Sequence, residues 1–469
     1  MIVETHLQNT QPITQATTSW PGQFFIKNLF AEFNRSNIRY AVMRNYQNLP
    51  GSTDGSDLDI IVHPVNKNIA KKIIFDVINR SNGVPIGHVN MPGFLKIFVL
   101  GFLKEEEKEI LWWGIRLDIS FGLIFKGATN LMEWREDQII SHNEVRVLSD
   151  SLANVLGVLK EVLNNNQLPK RYLDSARNAV AVEWANISLA LAPMGSKALH
   201  LLRMLLTEKP ETGAIYDRCS AIRKALRRYA FRQAPSQYLK RRAFFEWSKV
   251  RRYISPPGLM IAILGVDGSG KSTIIEAIRP VLEEATHNAL FIKHLRPMLL
   301  PPLARLKGEK SVQEGPVLEP HGSTPSGMVG SILRLIYLTL DYIFGYWLKI
   351  RPKIAKQPAI VLFDRYAYDM AMDPHRFRIG LSGKIAGCFI SLVTKPDLIF
   401  CLCAKPESLI ARKQEITIDE TKRQVLFLNN FIKNEPRAVL VSTETSIEDS
   451  KNQLLHSLYD FLLQKKSAN

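Results

Sequence analysis

The residues best suited to chemistry form one run, Gly265-Val266-Asp267-Gly268-Ser269-Gly270-Lys271-Ser272-Thr273. Glycines at this spacing let the backbone turn tightly and aim successive N–H groups inward, where they can cradle phosphate oxygens. A lysine directly after the last glycine offers a point charge to the β- and γ-phosphates, and the Ser272 hydroxyl is placed to ligate Mg²⁺. Such a loop must sit between a strand and a helix, and both flanks comply. Leu259-Met260-Ile261-Ala262-Ile263-Leu264 is an apolar run of buried-strand length, and Ile274-Ile275-Glu276-Ala277-Ile278 has helical spacing. The helix N-terminus adds a positive field at the phosphate. The run therefore predicts an ATP–Mg²⁺ site formed by Gly265, Gly268, Ser269, Gly270, Lys271, Ser272 and Thr273.

A second group of reactive residues lies far upstream. In Ser56-Asp57-Leu58-Asp59-Ile60-Ile61-Val62, two carboxylates at i and i+2 on a strand share one face, a compact way to hold a divalent metal. Ile115-Arg116-Leu117-Asp118-Ile119-Ser120 brings a third carboxylate on another apolar strand. Asp-Leu-Asp followed by a distant strand aspartate resembles the metal site of the nucleotidyltransferase superfold, over roughly residues 24–131. The resemblance implies metal roles for Asp57, Asp59 and Asp118, where paired Mg²⁺ ions would activate a hydroxyl and clamp a nucleoside triphosphate. That family has Gly-Ser at the turn upstream to cradle phosphate, where this chain has Met43-Arg44-Asn45. Arg44 could hold phosphate instead, or mark a domain that binds without catalysing.

Beyond the glycine-rich loop, apolar strands alternate with helical segments: 288–293, 359–363, 396–403 and 438–441 read as strands, and 327–349, 406–413, 419–433 and 447–463 as helices. That alternation predicts a parallel, doubly wound α/β sheet. The strand 359–363 ends at Asp364-Arg365-Tyr366, where P-loop enzymes place a second acidic group near Mg²⁺. The order and spacing of Gly-x-Asp-Gly-x-Gly-Lys-Ser-Thr, Asp-Arg-Tyr, Pro396-Asp397-Leu398, Pro406-Glu407 and Arg412-Lys413 resemble the thymidylate kinase family along nearly all of 256–469. The resemblance implies that Lys271, Ser272 and Asp364 serve ATP–Mg²⁺ and that Asp267 faces the acceptor. It implies that Arg365 and Tyr366 contact the acceptor, and that Arg412, near a lid, neutralises charge on the moving phosphoryl group. Arg296 aligns with the arginine of the family's Arg-Glu-Pro-Gly turn, without its glutamate and glycine. After Asp-Arg-Tyr the family's serine and later Tyr-Gln give way to Ala367-Tyr368-Asp369-Met370-Ala371-Met372-Asp373-Pro374-His375-Arg376-Phe377-Arg378. That stretch is similar to divergent thymidylate-kinase-like proteins associated with bacterial surface-polysaccharide synthesis. Asp369, Asp373, Arg376 and Arg378 would suit a polyhydroxylated, anionic acceptor as well as a nucleotide.

These sites divide the chain into an α+β nucleotidyltransferase-like domain (1–150), a helical basic connector (151–255) and a thymidylate kinase-like P-loop domain (256–469). In the connector, Arg218, Arg223, Lys224, Arg227, Arg228, Arg232, Lys240, Arg241, Arg242, Lys249, Arg251 and Arg252 are interleaved with Tyr229, Phe231, Tyr238, Phe244, Phe245, Trp247 and Tyr253. A net charge of +17 points to a polyanionic partner. Basic helix with aromatic anchors fits peripheral contact with an anionic membrane, or a grip on single-stranded nucleic acid by charge and stacking, while a packed helix with a solvated basic face fits the same residues. A nucleic-acid partner is not expected, since no base-reading module accompanies the charge. Residues 332–349 carry Arg334 and Asp341, costly in hydrocarbon, and read as an amphipathic helix of a soluble protein. Met1 to Trp20 lacks the basic start and apolar run of a signal peptide. The four cysteines fit a reducing compartment, with Cys401 and Cys403 read as core.

The expected function is an ATP- and Mg²⁺-dependent phosphotransferase, cytoplasmic, with a peripheral position at the inner membrane face as a further expectation. Its acceptor would be a sugar or glycolipid of the cell envelope or a nucleoside monophosphate, with nucleotidyl transfer by the N-terminal domain as a coupled activity. The alternative is a non-catalytic ATP-binding adaptor at an anionic membrane or polymer. A homodimer through 327–349 stays open.

Overall fold

A computed structural model of the chain describes residues 20–104, 109–126, 129–208, 212–301, 324–413 and 417–467. The segment before Trp20, and most of the Pro-, Gly- and Ser-rich loop expected over 301–327, lie outside the described residues.

The N-terminal part is a mixed sheet whose spatial order is β3 (Gly83–Met91), β4 (Phe94–Lys104), β5 (Ile110–Phe121), β2 (Leu58–Val62), β1 (Tyr40–Val42), β9 (Val145–Leu148) and β8 (Ile139–His142). A small hairpin of β6 (Ile124–Phe125) and β7 (Thr129–Asn130) stands beside it. Helices α1 (Gln23–Arg35) and α2 (Lys67–Arg80) cover one face. In α1, Phe25, Ile26, Leu29, Phe30 and Phe33 recur at helical spacing and are all buried. They meet the inward residues of the strands, among them Ile60, Val62, Ile97, Ile115 and Leu117.

The opposite face has two covers. Helices α3 (Asp150–Asn165), α4 (Lys170–Ala190), α5 (Ser196–Thr207) and α6 (Thr212–Gln233) share a core with Ala41, Ile61 and Leu148. The basic helix α6 is part of that core through Cys219, Ile222 and Leu226, all fully buried. Its charge therefore forms the solvated face of a packed helix, the packed-helix expectation for this stretch. Helix α7 (Pro235–Ile254) differs, because its only buried side chain is Ser248.

The second cover is the C-terminal part. Its sheet is parallel throughout, in the order β11 (Leu290–His294), β12 (Ile360–Asp364), β10 (Leu259–Gly265), β13 (Leu398–Cys403), β14 (Ala438–Ser442). Helices α8 (Lys271–Thr286) and α15 (Ile447–Ser467) lie on one face. On the other lie α9 (Met328–Gly345), one π-helical turn (Tyr346–Ile350), α10 (Arg351–Lys356), α11 (Asp369–Met372), α12 (Gly383–Ser391) and α14 (Ile418–Asn434), while α13 (Pro406–Arg412) sits over the strand ends. A central strand feeding the glycine-rich loop, flanked by parallel strands and helices on both faces, is a P-loop kinase fold. The strand expected at 288 starts at Leu290, because His287 and Asn288 take left-handed φ of 48° and 60° to end α8. The helix expected over 327–349 runs on through the π turn to Lys356. Cys401 is buried and Cys403 half-buried in the sheet, both as free thiols.

The two sheets share one core. Val84, Ile86, Phe98, Leu100 and Trp112 from β3–β5 pack with Ile274, Ile278, Leu282 and Ala285 of α8 and with Leu455 and Leu458 of α15. Trp20 Nε1 donates to Glu284 Oε1 at 2.6 Å, and Trp112 Nε1 to Asn452 Oδ1 at 2.7 Å.

Candidate functional site

The loop Gly265–Lys271 joins the carboxyl end of β10 to the first turn of α8. Gly268 and Gly270 hold φ of 81° and 82°, which residues with a side chain adopt only under strain. A Cβ on Gly268 would also stand 2.7 Å from the Leu409 carbonyl oxygen, because α13 lies directly on the loop. Lys271 Nζ donates to the carbonyls of Gly265 (2.8 Å) and Val266 (3.0 Å), curling the side chain back over the loop. Burial, reinforced by the charge of Arg365, drives the Lys271 pKa down to about 7. Ser272 and Thr273 are exposed on the first turn of the helix, whereas Ser269 is buried and its Oγ has no hydrogen-bond partner among the described residues.

Asp364 ends β12, in register with Ile263 of β10. One carboxylate oxygen meets His294 Nδ1 at 3.1 Å; the other, Oδ1, is buried without a hydrogen-bond partner among the described residues. Burial pushes this carboxyl up, but the His294 hydrogen bond and the charge of Lys271 outweigh it and hold the pKa below its usual value. A half-buried carboxylate with one unsatisfied oxygen, together with the exposed Ser272 hydroxyl at the start of α8, is a donor set that fits Mg²⁺ and its waters.

Asp267 is the hub of a cluster of charged side chains at the loop. Its two oxygens pair with Arg365 and Arg376, and Lys271 Nζ lies 3.9 Å away. Burial raises its pKa, and these cations reverse the shift to a net lowering. Arg365 also donates to Asp369 at 3.0 Å, and Asp369 caps the Tyr366 N–H at 3.1 Å. Arg365 has φ of 72°, a left-handed backbone that a non-glycine residue keeps only where its surroundings impose it. Arg376 is anchored by Asp373 at 3.1 Å. The structure thus gathers Asp267, Arg365, Asp369, Asp373 and Arg376 beside the phosphate loop. The other predicted residues sit elsewhere. Tyr366 is core, with its hydroxyl donating to the Thr394 carbonyl at 2.5 Å. Arg296 forms a buried pair with Asp341 at 3.0 Å. Arg378 is exposed, and its charge acts on Arg334 of α9. Arg412 reaches the Thr443 carbonyl at 2.7 Å, while its neighbour Lys413 comes closer to the loop, its Cβ lying 3.4 Å from where a Gly268 Cβ would stand. His294 escapes a reading by motif, its signal being its place two residues before Arg296, while Lys413 stands within the Arg412-Lys413 motif without a role of its own.

The upstream carboxylates also converge. Parallel pairing sets Asp59 opposite Asp118, with Asp57 one residue ahead of β2, and the ligand atoms of the three lie within 4.8 Å of one another. Cations surround them. Arg44 donates to Asp59 at 2.6 Å and approaches Asp57 at 3.7 Å; Arg116 grips Asp118 with both arms at 3.0 and 2.5 Å. Lys160 stands 3.6 Å from Asp59 and Lys96 3.9 Å from Asp118. Burial leads in raising the Asp59 pKa, whereas at Asp57 the charges of Arg116 and Arg44 overcome burial and lower it. Arg116 is two residues from Asp118, so their shared face is readable in the sequence; Lys96 and Lys160 depend on tertiary pairing. His287, which ends α8, interacts electrostatically with Asp57, Arg116 and Asp118. One helix therefore begins at the phosphate loop and ends beside the carboxylate triad.

No protein-family model matches the chain, and no curated protein matches it. Among solved structures, a thymidylate kinase from Ehrlichia chaffeensis is similar at 18% identity over 43% of this chain and 100% of its own, with a TM-score of 0.30. A thymidylate kinase from Candida albicans is similar at 18% identity over 43% of this chain and 92% of its own, with a TM-score of 0.32.

Proposed function

We propose that this chain is an ATP- and Mg²⁺-dependent phosphotransferase whose acceptor is a sugar or glycolipid of the cell envelope, with a nucleoside monophosphate as the other arm. The observation that carries the reading is the meeting of two sets of groups at one strand end. The loop with Lys271 would hold phosphate, and the Asp267–Arg365–Arg376 cluster would hold an acceptor next to it. In such a site the acceptor oxygen attacks the γ-phosphorus and the bond to the ADP oxygen breaks, so the protein's task is to position groups and offset charge. Lys271 would leave the carbonyls of Gly265 and Val266 to engage the β- and γ-phosphates. Arg365 and Arg376, held in place by Asp369 and Asp373, would orient the acceptor, while Arg412 and Lys413 approach from α13. Ser272 and Asp364 would hold Mg²⁺, which when bound would supply charge neutralisation for the phosphoryl group being transferred.

For the N-terminal part we infer a nucleotide-binding role at Asp57, Asp59 and Asp118. The carboxylates suit a divalent cation, and Arg44, Arg116, Lys96 and Lys160 suit the phosphates that accompany one. Coupled nucleotidyl transfer is one outcome. Binding without catalysis is favoured by Arg44, which lies on Asp59 and Asp57 themselves.

The test is ADP release by the full chain with Mg²⁺ across thymidylate, other nucleoside monophosphates, sugars and envelope glycolipids, with Lys271→Ala as background. Turnover with a sugar or lipid supports the favoured arm, and turnover with thymidylate alone replaces it with nucleotide phosphorylation. No turnover above background with any of these or with cell extract sinks the enzyme reading in favour of the adaptor. Because residues 40–148 share cores with α3–α6 and with α8, Mn²⁺ binding at the triad is measured on the full chain, comparing Asp59→Asn with Lys271→Ala.

A further inference from the structure

The outer faces of α9 and α7 are apolar where a helix of a soluble protein is polar. Along α9 and the π turn, Val329, Leu333, Ile336, Leu340, Phe344, Trp347 and Leu348 are 39–70% exposed among the described residues. They recur at three- and four-residue steps, opposite the buried Leu335, Leu338 and Tyr342. On α7, Trp247, Val250 and Ile254 repeat the pattern at 58%, 49% and 67% exposure, on the side away from buried Ser248. The two stripes are continuous. Tyr253 Oη donates to the Trp347 carbonyl at 3.0 Å, their rings lie 6.3 Å apart, and Arg351 joins α10 to the end of α7 through the Tyr253 carbonyl at 2.7 Å.

What borders this surface decides what would cover it. Lys240 and Arg251 lie beside the α7 stripe by helical spacing, while farther round the helix Arg242 and Lys249 both pair with Glu246, at 2.8 and 2.7 Å, and leave a net positive charge there. Behind the latter pair stand Lys126, Arg223 and Arg227, close enough that their charges, after burial, depress the Lys126 pKa. Lys349 of the π turn is exposed and donates to the Met298 carbonyl, and Lys353 of α10 lies over the Phe291 ring at 4.1 Å, adding positive charge along this edge. A second protein copy with the same +17 charge would bring like charges together around the rim. An apolar centre with two tryptophans and a tyrosine, inside a cationic rim, is the pattern of a surface that seats in the headgroup region of an anionic bilayer. Although 328–356 has the length and apolarity of a membrane span, it holds fully buried Asp341 and lays its inner face on the parallel sheet, so it would lie along the membrane plane.

We propose that the joined outer faces of α9 and α7 form a docking surface for an anionic lipid bilayer. The surface starts at Met328, next to Ser326, which bridges to Ile379 one residue after Arg378. Docking there would bring Arg378, exposed at that end of α9, toward the lipid headgroups. The docking inference stands apart from the kinase reading, because it needs no turnover.

The test is flotation of the full chain with phosphatidylcholine vesicles with and without phosphatidylglycerol, alongside tryptophan quenching by brominated lipid. Binding is expected to the anionic vesicles only. Leu340→Glu combined with Phe344→Glu is expected to weaken it at least about tenfold. Lys240→Glu or Arg251→Glu is expected to weaken it about fivefold each at low salt. Trp347→Phe should remove a large share of the quenching. Circular dichroism and ATP binding, unchanged in these variants, establish that they fold. Three results would overturn the proposal: no flotation with anionic vesicles, equal binding to neutral ones, or binding indifferent to Leu340→Glu/Phe344→Glu. If the chain instead sediments as a dimer that the double variant splits, the occupant is a second copy and the membrane proposal falls.

Discussion

Gly114 of β5 lies directly against the backbone of Ala285 near the end of α8, so close that a methyl group at 114 would overlap the Ala285 N and Cα atoms. At this point no side chain separates β5 from the helix that carries the phosphate loop. Gly114→Val must therefore push α8 and β5 apart, opening the core that Trp112, Ile278 and Leu282 share. The expected cost is about 1–3 kcal/mol, read as a lower denaturant midpoint for the whole chain. Two separate transitions, with the C-terminal one unmoved, would contradict a shared core.

Lys271 should couple nucleotide binding to protons. Its pKa of about 7 in the free protein comes from burial and from Arg365. A bound phosphate favours the charged form and raises that pKa, so binding takes up a proton. Affinity should be full below the free value and fall by up to about tenfold per pH unit above it, until the bound value is reached. Calorimetry in buffers of different ionisation enthalpy measures the uptake directly. Lys271→Arg, which stays charged, should abolish it.

The Asp267 clamp predicts unequal effects for its two arginines. Arg376 is held through Asp373, whereas Arg365 is held by Asp369, by its buried position and by its own left-handed backbone. Arg376→Ala should lower turnover about 10²–10³-fold with little loss of stability. Arg365→Ala leaves buried Asp369 without its cation and should also destabilise the fold by about 3–5 kcal/mol. Equal melting points for the two variants would show that Arg365 is not structural.

How far the sequence is legible follows from the range of each interaction. The phosphate loop, Asp364 and the parallel α/β order depend on neighbours a few residues away, and composition and spacing carry that information. Asp57, Asp59 and Asp118 can be grouped because strand alternation sets their facing, and Arg116 shares the same face as Asp118. Long-range partners are different. Lys160 reaches Asp59 from α3, His287 reaches the triad from the far end of α8, and nothing local in either segment announces it. The basic stretch illustrates the same limit from the other direction. Each of α6 and α7 carries six basic residues, yet α6 buries one face and α7 is nearly all surface, because only α6 offers Cys219, Ile222 and Leu226 to the bundle.

Arg296 and Asp341 make the sharpest test of a residue whose motif and surroundings point to different roles. The pair is buried, at 7% and 0% exposure, and Asp341 also accepts the Leu300 N–H at 2.6 Å while Arg296 donates to the Leu300 carbonyl at 3.2 Å. Removing either partner strands a charge, so Arg296→Met or Asp341→Leu alone should cost about 3–5 kcal/mol. Removing both eliminates the charges but leaves the two Leu300 backbone groups short of partners, a smaller penalty of about 1–3 kcal/mol. The double variant should therefore be more stable than either single one, measured by denaturant midpoints. If Arg296 served the acceptor rather than the fold, Arg296→Met would keep its stability and lose turnover instead.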